Sequence, residues 1–162
     1  MEAANERVHT LDPRVRWRWA MRAIGPVLAV AAVGAAAAWV APAPVPPALV
    51  TVGLLLVGGG LAWAVVWLRY RRWRYRLDSD GLTLTHGVLT HVRTIVPYTR
   101  IQHVDTRRGP LDRVFGIGAV VVYTAGTRGA DVTIPGLSTR DAEVMQERLR
   151  DASERTAGED AV

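Results

Sequence analysis

Three histidines and three aspartates are the side chains of this sequence best suited to chemistry. His86, His91 and His103 could move protons or hold a metal, with Asp78, Asp80 and Asp105 as carboxylate partners. Their spacing supports neither role. No two of the histidines stand four residues apart on a helical segment, the arrangement that aims two metal ligands from one helix face. His86 falls in a predicted turn and His91 inside a predicted strand, so surface or half-buried structural roles account for them. Gly116-Ile117-Gly118 has half of a dinucleotide-binding fingerprint, but Val121 occupies the third glycine position and a strand follows where a helix is required. That segment reads as a turn. With no cysteine, disulfides, thiol nucleophiles and Cys-ligated zinc are excluded. The chain is therefore expected to be no enzyme and to use no cofactor or metal.

Arginine is the other reactive resource. All twenty basic residues are Arg, and the formal charge is +5. Residues 1–22 hold five Arg and three acids, residues 69–76 five Arg and no acid, and residues 77–162 ten Arg and twelve acids. The excess thus lies beside the apolar part of the chain, and nucleic acid is not an expected partner. Arg14, Arg16, Arg18 and Arg22, with Arg69, Arg71, Arg72, Arg74 and Arg76, read as membrane-interface residues. Arg93, Arg100, Arg107, Arg108 and Arg113 form a second group, opposed by Asp105 and Asp112, and are candidates for contact with a protein partner or a lipid. Residues 138–162 hold four Arg and seven acids, so the folded domain is dipolar and could dock onto a copy of itself or an acidic partner.

The elements that must carry these groups follow from hydropathy. From Ala23 to Leu68 there are 46 residues with no Asp, Glu, Arg or His. A bilayer core of about 30 Å takes roughly 20 helical residues, so this run is two spans. Pro42, Pro44, Pro46 and Pro47 divide it, because four prolines in six residues cannot continue a helix. The expected layout is a cytoplasmic segment at 1–22, spans at 23–41 and 48–68, and an extracytoplasmic loop at 42–47. With every flanking Arg outside the spans, both termini are expected in the cytoplasm. Gly34/Ala38 and Gly60/Ala64 have the spacing that lets helices approach closely, here within the hairpin.

After residue 72 the pattern alternates. Arg72 to Leu77, Leu82 to Thr85, Val88 to Val96, Gln102 to Thr106, Ala119 to Thr124 and Asp131 to Ile134 read as strands, with turns at Asp78-Ser79-Asp80-Gly81 and His86-Gly87. Tyr98 to Ile101 reads as a hinge, Leu111 to Phe115 as one helical turn, and Pro135-Gly136 as the end of the sheet. Ser138 is placed to cap a final helix whose Ala142, Met145, Leu149 and Ala152 recur at helical spacing. A cytoplasmic domain at 69–152 and a disordered tail at 153–162 complete the expected layout.

Gly87-Val88-Leu89, Val96-Pro97, Arg100-Ile101-Gln102-His103-Val104, Arg108-Gly109-Pro110-Leu111, Arg113-Val114-Phe115-Gly116 and Thr124-Ala125-Gly126 occur in this order over residues 70–150. In this set the chain resembles the YdbS-like bacterial pleckstrin-homology domain family, also called the membrane-flanked domain. The resemblance implies a PH-like fold, two near-orthogonal antiparallel sheets capped by a C-terminal α-helix, behind a two-helix transmembrane hairpin. It also implies a bacterial plasma-membrane protein whose partner is another membrane protein with PH-like domains. Eukaryotic PH domains that bind phosphoinositides carry basic residues in the first inter-strand loop, and here that loop is acidic (Asp78 and Asp80). The favoured expectation is a non-catalytic, membrane-tethered adaptor, with homo-oligomers allowed. The alternative is a sensor of anionic lipid headgroups at the cytoplasmic face.

Overall fold

A computed structural model describes residues 8–40, 45–125 and 131–159. The chain forms two compact units: residues 16–68, and a second that joins the segment up to Val15 with everything from Arg69 onward.

The first unit is a helical hairpin. Helix α1 spans Val15–Val40 and α2 spans Pro47–Arg72, 26 residues each. At 1.5 Å per residue each is about 39 Å long, enough to cross a bilayer. Pro47 sits at the first position of α2, where its missing N–H costs no intrahelical bond. The helices run antiparallel, as three contacts show. A Cβ on Gly34 would meet Leu54, one on Gly58 would meet Val27, and the rings of Trp17 and Trp63 are centred 5.6 Å apart. Of the two small-residue pairs, Gly34 therefore lies at the packed seam, while Gly60 faces open space. Only 6% of the most apolar stretch of each helix is buried. A core helix of a soluble protein would be mostly covered, whereas Leu28, Val33, Leu56 and Leu61 stand bare. The prolines at 42 and 44 lie outside the described residues.

The second unit holds two antiparallel sheets and a helix. Strands β1 (His9–Thr10), β2 (Arg74–Leu77), β3 (Gly81–His86) and β4 (Val92–Pro97) form one sheet in that order. Strands β5 (Ile101–Arg107), β6 (Ile117–Thr124) and β7 (Val132–Ser138) form the other, with a short helix α3 (Pro110–Phe115) between β5 and β6. Helix α4 (Thr139–Glu159) packs on the second sheet through Ala142, Met145 and Leu149, all buried. Its start is the predicted cap: the Asp141 N–H donates to Ser138 Oγ at 3.1 Å. Gly116 ends α3 in the left-handed conformation at φ 64°, which a side chain disfavours.

Five features differ from the sequence reading. The segment before the first span is not separate from the domain, because β1 pairs with β2 through His9↔Tyr75 and Thr10↔Arg74. Leu11 and Val15 are buried, and the Asp12 N–H donates to the Gly136 carbonyl at 2.8 Å. Apolar side chains and an otherwise open strand edge recruit it. Second, α1 begins at Val15 and α2 runs on to Arg72, since Arg and Trp are adequate helix formers beyond the apolar run. Third, Pro135-Gly136 does not end the sheet. β7 is an edge strand, where proline is tolerated, and the register shifts opposite these residues between Gly118 and Val120. Fourth, α4 continues through most of the expected tail, with Arg150 and Glu154 paired at 2.9 Å one turn apart. Residues 160–162 lie outside the described residues. The third predicted strand is also shorter than expected: it begins at Val92, so His91 precedes it.

Candidate binding surfaces

The histidines do not converge. His9 stacks on Tyr75, His86 on Trp73 and His103 on Tyr123, with ring centroids 5.4, 5.4 and 4.1 Å apart. Each ring is part of local aromatic packing, and His91 is exposed. Among the described residues no three His, Asp or Glu side chains are grouped closely enough to hold a metal. The acidic turn is tied down structurally. Asp78 pairs with Arg76 at 2.7 Å and accepts a bond from Thr83 Oγ1 at 2.8 Å, and its carbonyl accepts from the Tyr98 hydroxyl at 2.9 Å. Burial, with Asp78 and Asp80 adding to it, pushes the Tyr98 hydroxyl above its ordinary pKa. Tyr75 is pushed up to about 12, chiefly by burial and secondarily by Asp141.

The arginines separate into held and open groups. Strand alternation puts Arg74 and Arg76 on the outer face of β2, opposite buried Tyr75. Registers Arg74↔Thr85 and Thr85↔Arg93 then align Arg74, Thr85 and Arg93 in one row across three strands. A shallow hollow of about 290 Å³ lies there, lined also by Val8, Arg76, Thr83 and His91. The rest of the second predicted group lies elsewhere. Arg107 donates to the Tyr123 hydroxyl and lies over its ring, and Arg108 pairs with Glu143 at 3.0 Å. Arg100 is in the helical turn after β4 and Arg113 on α3. Asp112, read as a surface counter-charge, is buried and accepts from the Gly109 N–H at 3.0 Å. Of the membrane-interface set, Arg14, Arg22, Arg69, Arg71 and Arg72 are exposed, Arg16 is half-buried and Arg18 is buried. Arg72 also donates to the Val88 carbonyl at 2.5 Å.

A larger groove, about 530 Å³, runs between β5 and α4 and was not foreseen from the sequence. One wall is Ile101 to Val104, the strand that forms one edge of its sheet. The other is Glu143, Gln146, Glu147, Arg150, Ser153 and Glu154. Gln146 Nε2 donates to the Val104 carbonyl at 2.7 Å and so holds the groove floor. The helical spacing of these acids was visible in the sequence; their placement beside an open strand edge was not.

A model of the bacterial PH domain matches residues 24–153, most of the chain. The chain belongs to the bacterial PH domain family. Two proteins of Bacillus subtilis (strain 168) resemble this bacterial PH domain protein. UPF0699 transmembrane protein YdbS is 36% identical over 90 residues, 56% of this chain and 52% of YdbS. UPF0699 transmembrane protein YdbT is 24% identical over 100 residues, 60% of this chain and 20% of YdbT. The chain thus spans about half the length of one relative and a fifth of the other. Among solved structures, a DUF1696 family protein with a pleckstrin-homology domain from Shewanella loihica PV-4 is 19% identical. It superposes with a TM-score of 0.40, covering 52% of this chain and 74% of that one. Like YdbS, this bacterial PH domain protein is a membrane protein, with α1 and α2 as its candidate spans.

Proposed function

We propose that the protein is a non-catalytic adaptor, tethered in the bacterial plasma membrane, whose PH-like domain docks a segment of another membrane protein. The groove between β5 and α4 carries this reading. Its helical wall extends from Glu143 to Glu154, about 16 Å along the axis, which suits a run of peptide better than a compact metabolite. Of the three Glu on that wall, Glu143 pairs with Arg108 and Glu154 with Arg150, which leaves Glu147 open to a basic residue of the segment. The edge of β5 offers main-chain groups to an extended chain.

Reversing charge in the groove tests the proposal. Full-length protein carrying Gln102→Arg and Glu147→Arg should remain in the membrane fraction but lose the membrane proteins that co-purify with the unaltered chain. Retention of every partner contradicts it. We place both termini in the cytoplasm, from the Arg flanking α1 and α2. Alkaline phosphatase joined after Val45 should then be active and joined after Val162 inactive, and the reverse pattern inverts the topology.

A further inference from the structure

We infer that the outer face of the β1–β4 sheet is a binding site for a phosphoryl group, held between Arg74 and Arg93 with Thr85 beneath it. This site is separate from the groove and does not depend on the adaptor reading.

The sheet fixes the geometry. Arg74 and Arg93 are each paired with Thr85 across the ladder, so they stand two strand spacings apart, roughly 10 Å between Cα atoms. Both side chains are exposed, and neither has an ion-pair partner among the described residues. The neighbouring Arg76 is a control supplied by the same strand, being held by Asp78 at 2.7 Å. The hollow over the row is lined by Val8, Arg74, Tyr75, Arg76, Thr83, Thr85, His91 and Arg93, so none of the described residues that line it is a carboxylate. Two guanidinium groups without a counter-charge on one face repel each other, and an anion between them removes that repulsion.

The number of acceptor oxygens selects the anion. One arginine fork engages both oxygens of a carboxylate and matches its single charge. A phosphomonoester has three terminal oxygens and close to two charges, enough for both forks and the Thr85 hydroxyl. Arg74 also follows the last residue of α2 by only two positions in the chain, so a lipid with a phosphomonoester headgroup and a soluble phosphomonoester are both sources of this chemistry.

Full-length chain with ¹⁵N-labelled arginine, in nanodiscs of neutral phosphatidylcholine, distinguishes them. Glycerol 3-phosphate is titrated in one arm, and phosphatidic acid replaces a minority of the lipid in the other. Arg74→Gln and Arg93→Gln assign the two Nε resonances. Both resonances should shift along one saturating curve in at least one arm, while those of Arg107 and Arg108 stay fixed. Either single variant should weaken the response of the remaining arginine by about tenfold, the loss of one charge-assisted fork. A response only in the lipid arm assigns a headgroup, and one only in the soluble arm assigns a free phosphomonoester. The inference is overturned if neither arm saturates, if all exposed arginines shift alike, or if Arg93 responds unchanged in Arg74→Gln.

Discussion

The two sheets of the domain hold their arginines differently. At the end of β5, Arg107 rests on Tyr123, and Arg108 just beyond it pairs with Glu143 of α4. In the β1–β4 sheet, Arg74 and Arg93 face a hollow with no carboxylate among its described lining residues. Covering explains the contrast. Strand β6 is buried from Ile117 through Val122, so both its faces are packed and it reads as one apolar run. Strand β2 alternates exposed Arg74 with buried Tyr75, the pattern of a sheet with one wet face. One sheet is therefore a structural core with a groove at its edge, and the other is a platform.

The largest test of that difference places the same charge in each sheet. Val120 in β6 is fully buried, so Val120→Asp should cost more than about 4 kcal/mol and leave little folded domain by circular dichroism. Thr85→Asp, on the wet face between two arginines, should change the melting temperature little. Similar losses from both would show that the platform is buried too.

A smaller effect separates two glycines, Gly136 within β7 and Gly116 at the end of α3. Gly136 has φ 64°, and a Cβ there would stand 2.4 Å from the Val15 Cβ. Gly116 shares that φ but has only the Arg14 guanidinium nearby, at 3.4 Å. Gly136→Ala should therefore destabilise by about 3 kcal/mol and Gly116→Ala by about 1 kcal/mol in chemical denaturation. Equal costs would mean that the N-terminal segment does not pack on β7 as described.

The tyrosines give a pH signature on the inner side of the platform. Tyr75 is raised from 10.0 to about 12, so its neutral form is the one the fold favours. That contribution is fully present below pH 10 and is lost as pH rises through about 12. Stability should thus fall as pH rises above 10, with a shallower fall in Tyr75→Phe. An unchanged slope in that variant would place the cause elsewhere.

Smallest in stability, but opposite in sign, are the arginine pairs. Removing Arg107 and Arg108 together should cost about 1 kcal/mol, since the Arg108–Glu143 pair is largely exposed. Removing Arg74 and Arg93 should cost nothing or stabilise slightly, because it relieves repulsion. Thermal denaturation of the two double variants at low salt reads the difference.

Much of this architecture was legible in the sequence. The hairpin followed from 46 residues without a charge, the strands from alternation, and the final helix from Ser138 and the Ala142–Met145–Leu149 spacing. The N-terminal strand was not, because His9-Thr10 has no periodicity and forms only against an edge 64 to 66 residues away, at Arg74 and Tyr75. Nor was the sorting of arginines. Arg74 meets Arg93 only once the β2–β3–β4 register is set, and Arg108 meets Glu143 across 35 residues. Charge counts showed that arginine was abundant, and partners decided which was available. The groove was equally hidden, since it depends on which edge of a sheet a distant helix lies beside.

In the proposed function, the β5–α4 groove holds a partner while the hairpin anchors the domain. A photo-crosslinking amino acid placed at Glu147 in full-length protein, irradiated in native membranes, tests it directly, with the same residue at Thr133 on β7 as the comparison. A discrete crosslink to one membrane protein is expected from position 147, absent from position 133 and suppressed by Gln102→Arg. Crosslinks of equal strength from both positions, or none from 147 alongside a strong product at 133, would contradict it.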